Sequence, residues 1–259
     1  MLTVRALDGL PEIAPGADLA ALIAAGVGAG EGATDPPLRD GDVVVVAHKA
    51  ISKAEGRVRQ LTDVEPSPRA IELAAATGKD PRQVQVVLDE TRELLRAERG
   101  VLICVTHHGF VCANAGVDAS NAAADGPETV ILLPTDPDAS ARALRARLRE
   151  LTRAAPAVVV TDSFGRAWRH GQTDVAIGAA GIAALEDWRG RTDSVGRDLQ
   201  ATWIALADQI AGAADLARGK DSRQPVVIIS GLDRHVLPRG DDGPGAAALL
   251  RPASEDLFR

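Results

Sequence analysis

The chain has 259 residues, a formal net charge of −7, 46% hydrophobic residues and 25% charged residues. That composition excludes an intrinsically disordered chain, and the acidic balance argues against a protein whose main task is gripping nucleic acid. Aromatic residues reach only 2%, with no Tyr, so a base-stacking platform is not expected and the core must be filled by Ala, Val, Leu and Ile.

The opening residues 3–7 read as a strand, and 8–16, punctuated by Gly9, Pro11, Pro15 and Gly16, as a loop. Asp18 precedes an Ala-rich helix ending at Ala25, where a carboxylate suits the helix dipole. A long Gly/Pro-rich connection over 26–41 leads to a β-branched buried strand over 43–47. Helices are expected over 68–77, stopped by Gly78, and over 81–96, with Pro81 in its first turn. Residues 101–105 and 110–113 look like a hairpin around His107, His108 and Gly109.

Residues 129–133 read as a strand, 138–153 as a helix, and 157–161 as a strand ending at Asp162. A polar loop over 163–173 is expected next, then a long helix over 199–218 closed by Gly219, and a strand over 225–230. Arg142, Arg145, Arg149 and Arg153 fall along one helix stripe and read as a solvated face. The elements mix without strict βαβ alternation, which predicts an α+β fold. Nothing approaches the ~20 apolar residues of a membrane span, and residues 1–10 lack a signal-like apolar core, so a soluble cytoplasmic protein is expected. Cys104 and Cys112 are too few for a zinc cage and are expected to be small buried thiols.

Three polar segments stand at strand ends. In His48 to Arg57, Lys49 and Lys53 are four apart, so on a helical turn they share one side and would suit phosphate oxygens. In Asn114 to Asn121, small residues allow close backbone approach, and Asp118 and Asn121 offer hard oxygen ligands. In Thr161 to Asp174, an acid and a hydroxyl directly after a core strand suit Mg²⁺ or Mn²⁺. There Arg166, Arg169 and His170 could neutralise an anion, and Trp168 could touch a ring. The bland alternatives are a solvated basic turn, a capping turn, and an ion pair of Asp174 with an arginine. The glycines over 26–30 follow a helix and so fail the context of a dinucleotide loop.

Taken together, the blocks 9–13, 41–57, 108–121, 133–138, 161–166, 171–174, Ala207-Asp208 and Gly219-Lys220 resemble the coenzyme F(420):L-glutamate ligase family. These are GTP-dependent enzymes that add glutamate to a deazaflavin coenzyme. The resemblance implies a two-lobed α+β chain in an intertwined homodimer, with residues 1–259 forming one stand-alone gamma-glutamyl ligase module. It implies Leu10, Pro11, Glu12 and Ile13 along the nucleotide, and His48, Lys53 and Asn121 in contact with it. The 231–243 loop, with Gly231, Leu232, Gly240 and Gly243, would close over it; this loop is longer than in relatives, with Arg234, His235, Pro238 and Arg239 inserted.

Asp118 and Asp162 would hold one divalent ion, Mg²⁺ or Mn²⁺, and Ser163, where relatives often carry Thr, would help hold a second; room for K⁺ is also implied. Lys53, Arg166 and Arg169 would serve the chemistry, in which GTP phosphorylates a carboxylate of F(420)-0 and the glutamate amine displaces phosphate. The substrates would thus be F(420)-0, one or more L-glutamates and GTP, with no nucleic acid and no membrane. The rival readings are a non-catalytic deazaflavin or nucleotide binder and a metal-dependent GTP phosphohydrolase.

Overall fold

The computed structural model describes residues 1–28, 36–119, 128–219 and 222–256. Ala29, Gly30, Ser120, Asn121 and Lys220 lie outside them. In chain order the first elements are β1 (Thr3–Ala6), α1 (Leu19–Gly26), β2 (Val43–Ala47), α2 (His48–Ala54) and β3 (Val58–Gln60). Then come α3 (Pro68–Thr77), α4 (Pro81–Asp89), β4 (Thr91–Glu98), β5 (Val101–Thr106), β6 (Val111–Ala113) and β7 (Thr129–Ile131). The remainder is α5 (Pro137–Thr152), β8 (Ala157–Arg166), β9 (Arg169–Ala180), β10 (Glu186–Asp187), β11 (Trp203–Ile204), α6 (Leu206–Ala217) and β12 (Val226–Ser230).

The helix starts follow capping chemistry. Asp18, Ser67, Asp80 and Asp136 each accept a backbone amide of the first turn of α1, α3, α4 and α5, and Pro occupies the first turn of the last three. Gly78 ends α3 in the left-handed region at φ 69°, as the sequence predicts.

The main sheet has the order β1-β12-β2-β8-β9, with β2 and β8 parallel and every other neighbour antiparallel. Val43 to Val46 and Val226 to Ile229 are buried on both faces, which explains their unbroken apolar runs. On one face Ile23 of α1 and Leu144 and Leu148 of α5 pack over Val44, Val46, Val158 and Ile177. On the other, Ile210 and Ala214 of α6 pack over Val45, Val159, Val227 and Ile229. A third apolar cluster joins Leu73 of α3, Val84 and Val87 of α4, Leu102 and Cys104 of β5, and Val130 and Leu132. The α+β expectation agrees with this mixed arrangement.

Four local expectations are corrected. The helix expected over 81–96 stops at Asp89, because 91–98 pair with β5 from Thr91 opposite Thr106 to Glu98 opposite Val101. Helix formers such as Leu94, Leu95 and Arg96 are overridden by that ladder. The strand expected to end at Asp162 continues to Arg166, and the expected 163–173 loop is the two-stranded arm made by β8 and β9. Since β2 ends at Ala47, opposite Thr161, β8 beyond that point pairs only with β9, so the arm is half-exposed and polar.

The expected 199–218 helix begins only at Leu206, because Trp203 and Ile204 pair with Asp187 and Glu186. Finally, Arg145 is buried at 3% exposure, not solvated. It donates to the carbonyls of Pro156 and Asp241 at 3.0 Å each and to the Asp242 carboxylate at 2.7 Å.

Candidate functional site

The parallel pairing of β2 with β8 ends with Ala47 opposite Thr161. The next residue on each strand is therefore brought alongside its counterpart, and these residues are His48 and Asp162. His48 opens α2 with no intervening loop, so its position is fixed by the strand itself. Its Nε2 stands 3.4 Å from Asp162 Oδ1, with the side chains 2% and 15% exposed, and its Nδ1 is 3.3 Å from Ser52 Oγ.

The following residue, Lys49, places Nζ 2.6 Å from Asp118 Oδ2. Asp118 is fixed by its backbone, which exchanges hydrogen bonds with Ile131 of β7 at 3.0 and 2.8 Å. Two carboxylates from segments far apart in sequence thus converge on consecutive residues of one helix turn. Among the described residues no group of three or more His, Cys, Asp and Glu side chains converges on a common point. The acid pair suits a hard divalent ion such as Mg²⁺, which is commonly held by one or two carboxylates with substrate phosphate and water completing the shell. The Lys49 ammonium already facing Asp118 marks one place where positive charge is stabilised.

Lys53, one turn along α2, is buried and pairs with Glu12 at 2.5 Å. The Gly16 amide donates to the Ala54 carbonyl at 2.8 Å. The structure therefore lays the loop containing Leu10, Pro11, Glu12 and Ile13 along α2, with Ile13 buried in the core. Ser163 donates its hydroxyl to Asp174 Oδ1 at 2.6 Å and its amide to Asp162 Oδ1 at 2.8 Å.

Asp174, 3% exposed, also accepts from Thr161 at 2.9 Å and pairs with Arg218. Burial raises its pKa, but the Ser163, Arg218 and Thr161 contacts together outweigh burial and hold the carboxyl below its ordinary value. Cys112 of β6 lies near enough to feel the Asp162 carboxylate; burial first, and that charge second, push its thiol up to about 12.

Other expected site residues are not brought to this cluster. Arg166 and Arg169 face each other at the end of the arm, and Arg166 donates to the His170 carbonyl at 2.8 Å. That end lies four residues beyond Asp162, roughly 13 Å along the strand. Trp168, at φ 59° and 82% exposed, forms the tip.

Gly231, Leu232, Gly240 and Gly243 lie at the opposite end of the sheet, because β12 runs antiparallel to β2 with Ile229 opposite Val43. Their loop is tied there by Arg145 to Asp242 and by Arg239 to Asp40. The segment that does reach the site end joins α6 to β12. Arg218 donates to Thr161 Oγ1 at 2.6 Å, and the Pro225 carbonyl accepts from the Ala47 amide at 2.8 Å. Arg218 is not singled out by the sequence reading; its place at the end of a helix, just before Gly219 and Lys220, is the signal that could have found it.

Comparison with known proteins places the chain among amide-bond-forming ligases. It belongs to the F(420)-0:gamma-glutamyl ligase family, whose model matches residues 9–231. It is similar to the coenzyme F(420):L-glutamate ligase of Methanopyrus kandleri, 46% identical over 249 residues, covering 96% of this chain and 94% of that protein. The Methanothermobacter thermautotrophicus protein of the same name is 41% identical over 259 residues, covering 100% and 99%. That of Methanocaldococcus jannaschii is 44% identical over 224 residues, covering 86% of each chain. No helix among the described residues is long and apolar enough to cross a membrane.

Proposed function

We propose that this protein is a GTP- and divalent-metal-dependent ligase that joins L-glutamate to F(420)-0, with release of GDP and phosphate. The observation that carries the reading is the convergence of Asp118 and Asp162 on Lys49 and His48, in a chain of this family. A carboxylate resists attack by an amine because an oxide would have to leave. Transfer of the GTP γ-phosphoryl group to the acceptor carboxylate gives an acyl phosphate, from which the glutamate amine expels phosphate.

Such transfer needs charge neutralisation and in-line positioning more than a nucleophilic side chain. A divalent ion supplies the first by drawing charge from the phosphate oxygens. Asp118 and Asp162 are the residues that would hold it, with the Ser163 oxygen offering a lone pair to a second ion. Lys53 would turn from Glu12 to the phosphates, and the 10–13 loop would lie beside the nucleotide. We assign the chain as one two-lobed ligase module acting as a homodimer, which would give the half-exposed arm of β8 and β9 a cover.

The test is an end-point assay by mass spectrometry with F(420)-0, L-glutamate, GTP and Mn²⁺, with GDP measured in parallel and Asp162→Ala as control. The expected product is heavier by one or more glutamyl units, matched by GDP and absent with the variant. GDP without the mass gain would replace this reading with a GTP phosphohydrolase. The lack of both product and GDP would overturn it.

A further inference from the structure

A cavity of about 290 Å³ opens between the 107–110 turn, the start of α5 and the 3-10 turn Ala246–Leu249. His108, Phe110, Pro137, Ile177, Ala247 and Leu250 wall it. The His108 and Phe110 rings stack, with centroids 5.5 Å apart and planes at 27°. Phe164 of β8 meets Phe110 edge-on at 6.1 Å. The chain has three Phe, and two of them meet here.

The acids at the rim already hold backbone amides. Asp136 accepts from Ala139, and Asp138 accepts from Ala179, Ala246 and Ala247. His108 Nε2 faces the carbonyls of Pro134 and Thr135 at 2.9 and 3.1 Å. The wall is therefore ring and aliphatic surface with its charges tied back, which suits a flat, largely apolar π system better than a phosphate or a sugar. Its volume stands at the lower end of the roughly 300–1,000 Å³ of small-molecule sites, enough for one ring system but not a whole coenzyme.

The cavity reaches toward the acid cluster through Phe110, which meets Phe164 of β8. Phe164 and Asp162 are two residues apart on β8, and side chains two apart along a strand share a face at a spacing of about 7 Å. Phe110 likewise stands two residues before Cys112, whose thiol feels the Asp162 charge. From Phe164, β8 thus leads to Asp162.

We propose that this cavity seats the planar aromatic ring system of the acceptor, whose carboxylate end extends along β8 to Asp162 and Asp118. The assignment rests on the ligase reading above for the identity of the acceptor, and on the cavity alone for where its ring goes. The ring lies against the Phe110 and His108 stack, and Ala247 and Leu250 cover its outer edge.

Ala247→Trp tests this, because Ala247 is exposed and lines the cavity, so an indole there takes up its space. Phe110→Leu, which keeps apolar volume but removes the ring, is the second variant. Binding of F(420)-0 is followed by its own absorbance without GTP, and steady-state constants are measured in parallel. Ala247→Trp is expected to weaken F(420)-0 binding about tenfold or more, to raise KM for F(420)-0 more than it lowers kcat, and to leave KM for GTP unchanged. Phe110→Leu is expected to shift the same constants in the same direction by a smaller factor.

Unchanged F(420)-0 affinity in Ala247→Trp, or no F(420)-0 binding by the wild type, would overturn the assignment. Should the wild type bind F(420)-0, lose it in Ala247→Trp, and yet never join glutamate, the cavity stands and the ligase reading falls.

Discussion

The ammonium of Lys49 stands 2.6 Å from the Asp118 carboxylate, on the helix turn whose neighbouring residue faces Asp162. Both partners are partly exposed, so the pair itself contributes at most about 1 kcal/mol to stability. Its weight lies in competition, because a divalent ion on Asp118 must displace the ammonium. Lys49→Met is therefore expected to tighten Mn²⁺ binding and Asp118→Asn to weaken it, with little change in Tm for either. Electron paramagnetic resonance of Mn²⁺ without nucleotide reads the sign directly. Weaker Mn²⁺ binding by Lys49→Met would contradict the assignment.

Asp174 and Arg218 form a buried pair that also gathers Thr161 and Ser163. Asp174→Ala removes the carboxylate paired with the buried Arg218 guanidinium, a change that costs about 3–5 kcal/mol. At about 2–4 °C per kcal/mol, the expected fall in Tm is roughly 10 °C. The folded-state carboxyl titrates below its usual 3.8, so its stabilisation is fully present above that pH and is lost as pH falls through the lower folded value. Wild-type Tm is expected to drop below about pH 4 more steeply than that of Asp174→Asn, as differential scanning calorimetry would show.

Gly178 of β9 lies where a Cβ would overlap the Pro137 carbonyl at the start of α5. The contact is with backbone, so no side chain can swing aside. Gly178→Ala is expected to destabilise the fold by about 1–3 kcal/mol, checked by urea unfolding at unchanged m. A neutral result would mean that α5 moves freely against the sheet.

Cys112 and Cys104 are both buried, directly opposite each other on β6 and β5, and free. With the Cys112 thiol pushed up to about 12, almost none is thiolate at neutral pH. The native protein is expected to resist iodoacetamide at pH 8 and to react fully in guanidinium chloride, as counted by mass spectrometry. Fast native alkylation at Cys112 would show that β6 opens.

The strands β2 and β12 and the helices α3 and α5 were legible because their signals are local: unbroken β-branched runs, capping acids, and prolines in the first turn. The arm was misread because its residues are polar for a tertiary reason, namely that β8 outruns its partner β2. Arg145 looked like one of four solvated arginines; the approach of Pro156 and of the 238–242 segment makes its position interior. Asp118, Asp162 and Lys53 are candidates from sequence, and the structure brings them around α2. The 231–243 loop was placed over the same site, and strand direction alone moves it to the other end of the sheet.

The order of the main sheet also governs how the chain is built. β12, the last strand made, inserts between β1 and β2, the first two. Until residue 226 is available, β1 has no neighbour and β2 has an open edge, so the N-terminal strands cannot settle during synthesis. The acid cluster depends on the β2–β8 pairing, which closes a separation of more than a hundred residues. Folding is thus dominated by non-local pairing and is expected to be slow, with the acid cluster assembling only after β8 has been made.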